Sequence, residues 1–135
     1  MSYSIARIEG IGPTHARLLK GLGIHTTDGL LERCADRKGR RALSEETGLS
    51  ETVIQKWTNM ADLMRIHGIG EEYSELLEAA GVDTVKELRH RNALNLAVAM
   101  AKANAERRLV RQPPGEKRVA SWIEQAKTLP PVMTH

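Results

Sequence analysis

A five-residue block occurs twice in this chain. Ile8-Glu9-Gly10-Ile11-Gly12 returns as Ile66-His67-Gly68-Ile69-Gly70, at an offset of 58 residues. The correspondence continues beyond the block. Leu18-Leu19 answers Leu76-Leu77, Gly23-Ile24 answers Gly81-Val82, Thr26 answers Thr84, and Leu30 answers Leu88. Further on the offset becomes 65, where Ile54, Trp57 and Ala61 pair with Val119, Trp122 and Ala126. A seven-residue insertion near Pro113-Pro114-Gly115 accounts for the change. An internal period of this kind constrains a fold more than any single motif. It predicts two copies of one unit of roughly 60 residues, a size that gains its core by pairing. The copies are expected over 1–65 and 66–129, with a C-terminal tail over 130–135.

The units read as helical. Pro13 suits a first helical turn, where its missing N–H costs nothing. Ala16, Leu18, Leu19 and Leu22 form an apolar stripe that Gly23 closes. Thr26 or Thr27 caps a short helix to about Ala35, and a further helix runs from near Lys38 to Thr47, closed by Gly48. Ser50 opens a longer helix through Met64. The second copy predicts helices from about Glu71 to Ala80, after a Thr84-to-Glu87 capping box, from Ala93 to Arg108, and from Glu116 to Leu129. Pro130-Pro131 stops the last helix, and Val132 to His135 is expected to fray. Aromatic residues make up only 3% of the chain, with no Phe, which argues against an all-β fold. The expected architecture is therefore all-α, one compact helical body.

Gly-x-Gly between helical stretches permits a turn that Cβ atoms forbid. The helix that follows has unsatisfied N–H groups at its start. Together with turn amides they form a concave site suited to an anion. A nucleic-acid phosphate fits such a site, because amides read charge and not sequence.

The two stretches Ile8 to Leu19 and Ile66 to Leu77, each with a hydrophobic-Gly-hydrophobic-Gly turn, a small residue (Ala16, Ser74) and a leucine pair, resemble the helix-hairpin-helix superfamily. From about Ile5 to Leu129 the chain is also similar to an uncharacterised bacterial family of tandem helix-hairpin-helix domains. The resemblance implies duplex backbone binding without base reading. Carried over, Gly10, Ile11 and Gly12 would supply amides, Thr14 a hydroxyl, and Arg17 and Lys20 charge. The second copy departs from this pattern, since Glu71, Glu72, Glu75 and Glu78 repel phosphate. It reads as structural, or as a face for a basic protein partner.

Charge is segregated. Residues 33–41 carry Arg33, Arg37, Lys38, Arg40 and Arg41 against Asp36, and residues 66–88 carry six acidic residues against Lys86. Arg37, Lys38, Arg40 and Arg41 are expected to extend a phosphate contact from the first hairpin. Leu43 to Trp57 resembles a helix-turn-helix reader, but Lys56 is the only basic residue on its exposed side, and an ordinary helix-Gly-helix junction is the plainer reading. His15, His25, His67, His90, His135 and Cys34 share no ligand spacing, so no metal or cofactor is expected. No nucleophile constellation and no Walker loop are visible. No run approaches the ~18 apolar residues of a membrane span, the N-terminus opens no signal peptide, and Cys34 has no disulfide partner, so the cytoplasm is the default compartment. The expected function is non-catalytic, sequence-independent binding to nucleic acid, most simply DNA, through the first hairpin. The alternative is a protein-interaction adaptor using Glu71, Glu72, Glu75 and Glu78. Oligomeric state is open.

Overall fold

The computed structural model describes residues 2–134. Its regular elements are a 3₁₀ turn, Ile5–Arg7, and eight helices: α1 (Pro13–Gly21), α2 (Thr27–Cys34), α3 (Arg37–Thr47), α4 (Glu51–Leu63), α5 (Glu71–Ala79), α6 (Val85–Leu88), α7 (Ala93–Arg107) and α8 (Glu116–Thr128). Among the described residues there is no strand, only an isolated bridge between Ser4 and Thr26. The protein is all-α.

Local chemistry sets the helix boundaries. Side-chain oxygens of Thr26, Asp36, Ser50, Thr84 and Asn92 accept from the amides of Gly29, Gly39, Val53, Glu87 and Asn95, satisfying donors that the helices cannot. α1 and α5 end alike. Gly23 donates to Lys20 and Ile24 to Leu19 (3.0 and 2.9 Å), and Gly81 donates to Glu78 and Val82 to Leu77 at the same distances. This double bond pattern needs a left-handed residue, supplied by Gly23 at φ 85° and Gly81 at φ 95°. The capping box at Thr84 is half formed. Glu87 offers its amide to Thr84 at 3.2 Å, while its carboxyl lies under the influence of Asp83.

Burial is organised into two apolar clusters. The first gathers residues from the 3₁₀ turn to α4, including Ile5, Ile8, Leu19, Leu30, Leu43, Ile54 and Trp57. The second gathers Leu63, Ile66, Ile69, Leu76, Leu88, Met100, Val119 and Trp122, among others. α4 serves both. Every residue from Trp57 to Leu63 is buried, with Met60 in the first cluster and Leu63 in the second. α2 packs on α4, and α8 packs on α7 and α6.

Asp62, in this buried stretch, has both oxygens engaged. Oδ1 accepts from Arg65 Nη1 at 2.8 Å and Oδ2 from the Val85 amide at 2.8 Å. Arg65 Nη2 then donates to the Pro130 carbonyl at 2.7 Å. One carboxylate thereby ties α4 to the start of α6 and, through Arg65, to the chain beyond α8.

Two expectations need correction. The segment before the first glycine turn is a three-residue 3₁₀ turn rather than a helix. The tail also docks, where fraying was expected. Met133 is buried in the first cluster with Val132 packed beside it, and the Thr134 amide donates to the Ala35 carbonyl at 2.8 Å. Carbonyls at the end of α2 need donors, and the tail provides one. His135 lies outside the described residues.

Candidate functional site

The first glycine turn is held from below. Ile8 and Ile11 are buried, and the Ile11 amide donates to the Ile8 carbonyl at 3.1 Å. Gly10 sits at φ 94°, and a Cβ there would come 3.3 Å from Trp57 Nε1. Glycine at this position is therefore a requirement of the fold. Gly12 differs. Its backbone is extended (φ −78°, ψ 179°), and nothing lies within 4 Å of where a Cβ would be. Neither backbone strain nor packing demands glycine at 12.

Among the described residues, no protein acceptor takes the amides of Gly10, Gly12, Thr14 or His15. Pro13 has no N–H, and Ala16 is the first residue of α1 to bond back, to the Gly12 carbonyl. The available donors thus include Gly10, Gly12, Thr14 and His15. Ile11, expected among them, is excluded because its amide is already used inside the turn. Arg17 and Lys20, both exposed, border one open depression with Ala6, Ile11, Gly12, Pro13 and Ala16. Thr14 is exposed on the first turn of α1 but does not line that depression.

Sequence reasoning missed Arg7. Its side chain lies in the adjoining groove with residues 8–12 and pairs with Glu71 at 2.8 Å. Partial burial works upward on the Glu71 carboxyl, but the Arg7 hydrogen bond, the residue's own amide and the Arg7 charge hold it below its usual value. The pairing spans 64 residues, so no local pattern announces it.

The basic run of α3 does not join this site. Arg37, Lys38 and Arg41 are exposed, and Arg37 and Arg40 line a separate depression with Glu51, Thr52 and Gln55. Arg40 is a correction. It is 3% exposed and donates to the carbonyls of Cys34, Ala35 and Thr134 at 2.9, 3.0 and 2.7 Å. Its guanidinium closes the end of α2 and seats the tail, so its Nη1 and Nη2 are committed to main-chain carbonyls. At the α3–α4 junction Gly48 takes φ 76°, and α4 is buried from Trp57 onward, leaving little face to read a groove.

The second turn repeats the backbone of the first and differs in chemistry. Gly68 has φ 96°, and Ile69 donates to Ile66 at 3.1 Å. Here the His67 amide is taken by Gln125 Oε1 at 2.9 Å, and Gln125 Nε2 returns a bond to the His67 carbonyl. Of the acidic residues of α5, only Glu72 is exposed. Glu71 is paired with Arg7, and Glu78 lies 4.0 Å from Lys56 with its Oε2 sealed from solvent and unpartnered. Burial pushes the Glu78 carboxyl above its usual value, Lys56 opposes this, and Asp83 and Glu75 add to it. Glu87 is raised likewise, by burial and then by Asp83. A carboxyl that holds its proton more tightly folded than unfolded makes the fold stabler as pH falls from neutrality through its folded pKa. Glu78→Gln is therefore expected to raise the thermal midpoint at neutral pH and to shrink the gain on acidification toward about pH 5, read from melting curves across pH.

The remaining chemistry is structural. Cys34 is fully buried, and burial raises its thiol pKa despite a hydrogen bond with Thr58. Among the described residues no cluster of three His, Cys, Asp or Glu side chains is placed to hold a metal ion, and no helix is long and apolar enough to cross a membrane.

The model of a family described as a domain of unknown function, DUF4332, matches residues 9–129. The chain belongs to this family. No curated protein and no solved structure matches it. In this DUF4332 chain the match takes in both glycine turns and both tryptophans, and it stops short of the docked tail.

Proposed function

We propose that this DUF4332 protein is a non-catalytic, sequence-independent binder of nucleic-acid backbone, most simply DNA, built from two helix-hairpin-helix copies of which the first carries the site. The observation that supports it is Gly12. Nothing inside the molecule needs glycine there, while the open space beside it borders the unpaired amides of the α1 start and the side chains of Arg17 and Lys20. A bare backbone, amide donors and two flanking cations are what a phosphate requires. Arg37, Lys38 and Arg41 form a second basic surface that adds long-range attraction without sharing the turn. An adaptor role for α5 has less support, because Glu72 alone of its four carboxylates is exposed.

Fluorescence anisotropy with labelled duplex and single-stranded DNA and RNA tests this reading. The folded chain is expected to bind duplex with a Kd of about 1–100 μM at moderate salt, weakening steeply as salt rises. Arg17→Glu with Lys20→Glu is expected to weaken binding at least about tenfold and to flatten the salt dependence by roughly 0.9 log units for each phosphate that is no longer neutralised. Reversing Arg37 and Arg41 should cost less. Gly12→Val should fold like the parent, since its backbone angles suit a branched residue before proline, and should abolish binding. A folded parent chain that binds no nucleic acid at low salt would end the proposal.

A further inference from the structure

Both tryptophans present an indole nitrogen at a glycine turn. A Cβ on Gly10 would sit 3.3 Å from Trp57 Nε1, and one on Gly68 would sit 3.2 Å from Trp122 Nε1. The residues are 3% and 2% exposed. Among the described residues neither nitrogen has a hydrogen-bond partner, and neither belongs to the unpartnered polar atoms sealed from solvent. The indole rings are thus buried while their N–H edges stay open at the turns. Glycine at 10 permits this twice over, by accepting a positive φ and by leaving the indole edge uncovered.

We infer that the Trp57 indole N–H is a phosphate donor of the first turn, acting beside the amides of Gly10 and Gly12. The inference rests on the reading of that turn as a phosphate site. An N–H edge left open at the turn, on a ring held by its cluster and without a protein partner, is free to meet an incoming acceptor. Indole nitrogen only donates, which matches an oxyanion and excludes a cation. Ile54, Met60 and Ala61 share the cluster that fixes the Trp57 ring, so aiming it at a ligand costs little entropy. Its counterpart at the second turn faces different surroundings. Glu71 and Glu72 start the next helix, Gln125 closes the His67 amide, and Arg118 lies over the Trp122 ring at 5.7 Å. Trp57 is therefore the donor, and Trp122 serves as an internal control.

The chain holds only two tryptophans, so a ¹⁵N-labelled sample shows two indole N–H signals, assignable by sequential correlation. On titration with a short DNA duplex the Trp57 signal is expected to move and saturate with the Kd read by anisotropy, while the Trp122 signal stays in place. Inorganic phosphate at high concentration should move the same signal in the same direction. Trp57→Phe, which keeps an aromatic ring and removes the donor, is expected to weaken duplex binding about three- to tenfold. Because a neutral donor releases no counterion, its salt slope should match the parent, unlike Arg17→Glu/Lys20→Glu. If Trp57→Phe does not fold, the signal of the parent chain decides alone. Duplex binding with an unmoved Trp57 signal, or full affinity in a folded Trp57→Phe, overturns the donor role and leaves the reading of the turn standing. Absence of any duplex binding overturns both.

Discussion

Asp62→Ala is expected to cost about 3–5 kcal/mol, enough to leave much of the chain unfolded at physiological temperature. The carboxylate is buried, so its removal strands two donors at once. Arg65 keeps its charge in a largely buried position, where its side chain is 12% exposed, and the Val85 amide is deprived of the acceptor that starts α6. The damage should then spread along the Arg65 bond to Pro130 and loosen the chain beyond α8. Asp62→Asn keeps an acceptor for Val85 while discharging the pair, and it should fall between alanine and the parent. Urea denaturation of the three chains measures this order. An Asp62→Ala protein within about 1 kcal/mol of the parent would mean the carboxylate merely fills space.

Gly39→Ala should be nearly as damaging for a different reason. Gly39 lies in the first turn of α3, where its amide caps onto Asp36 at 2.8 Å. A methyl there would overlap the carbonyl oxygen of Arg33, which is main chain and cannot rotate away. α2 and α3 would have to part. That movement would also pull Arg40 from Cys34 and Ala35 and release its bond to Thr134. Overpacking of this kind costs about 1–3 kcal/mol and more where backbone must yield. Gly21→Ala is the matched control, since nothing lies within 4 Å of its missing Cβ, and helix propensity favours alanine by about 0.5–1 kcal/mol. Opposite shifts in the denaturation midpoint are expected from these two glycine-to-alanine changes, one in α1 and one in α3.

The helices are legible in the sequence because their signals are local. A proline at the first turn of α1, hydroxyl and amide caps, and the glycines at 23, 48 and 81 fall within a few residues of the boundaries they set. Asp36 is harder to read as a cap, because the basic residues after it make it look like one charge in a charged run. The site is only partly legible. Sequence marks Gly10 and Gly12 identically, yet Gly10 answers to φ and to Trp57, while Gly12 answers to neither. Arg40 looks like its neighbours Arg37 and Arg41 in sequence, but helical phase turns it inward onto the carbonyls ending α2. Arg7 with Glu71, and Met133 in the first cluster, depend on segments brought together only by folding. Counting charges cannot separate a cation that meets solvent from one that caps a helix.

The boundary between the two apolar clusters falls within α4, a helix that lends Met60 to one and Leu63 to the other. A seam placed there is not a hinge. Melting either half strips apolar cover from the same stretch of backbone, so each half raises the cost of unfolding its neighbour. The chain should thus behave thermodynamically as a single cooperative unit, with one calorimetric transition in place of two modules melting in succession.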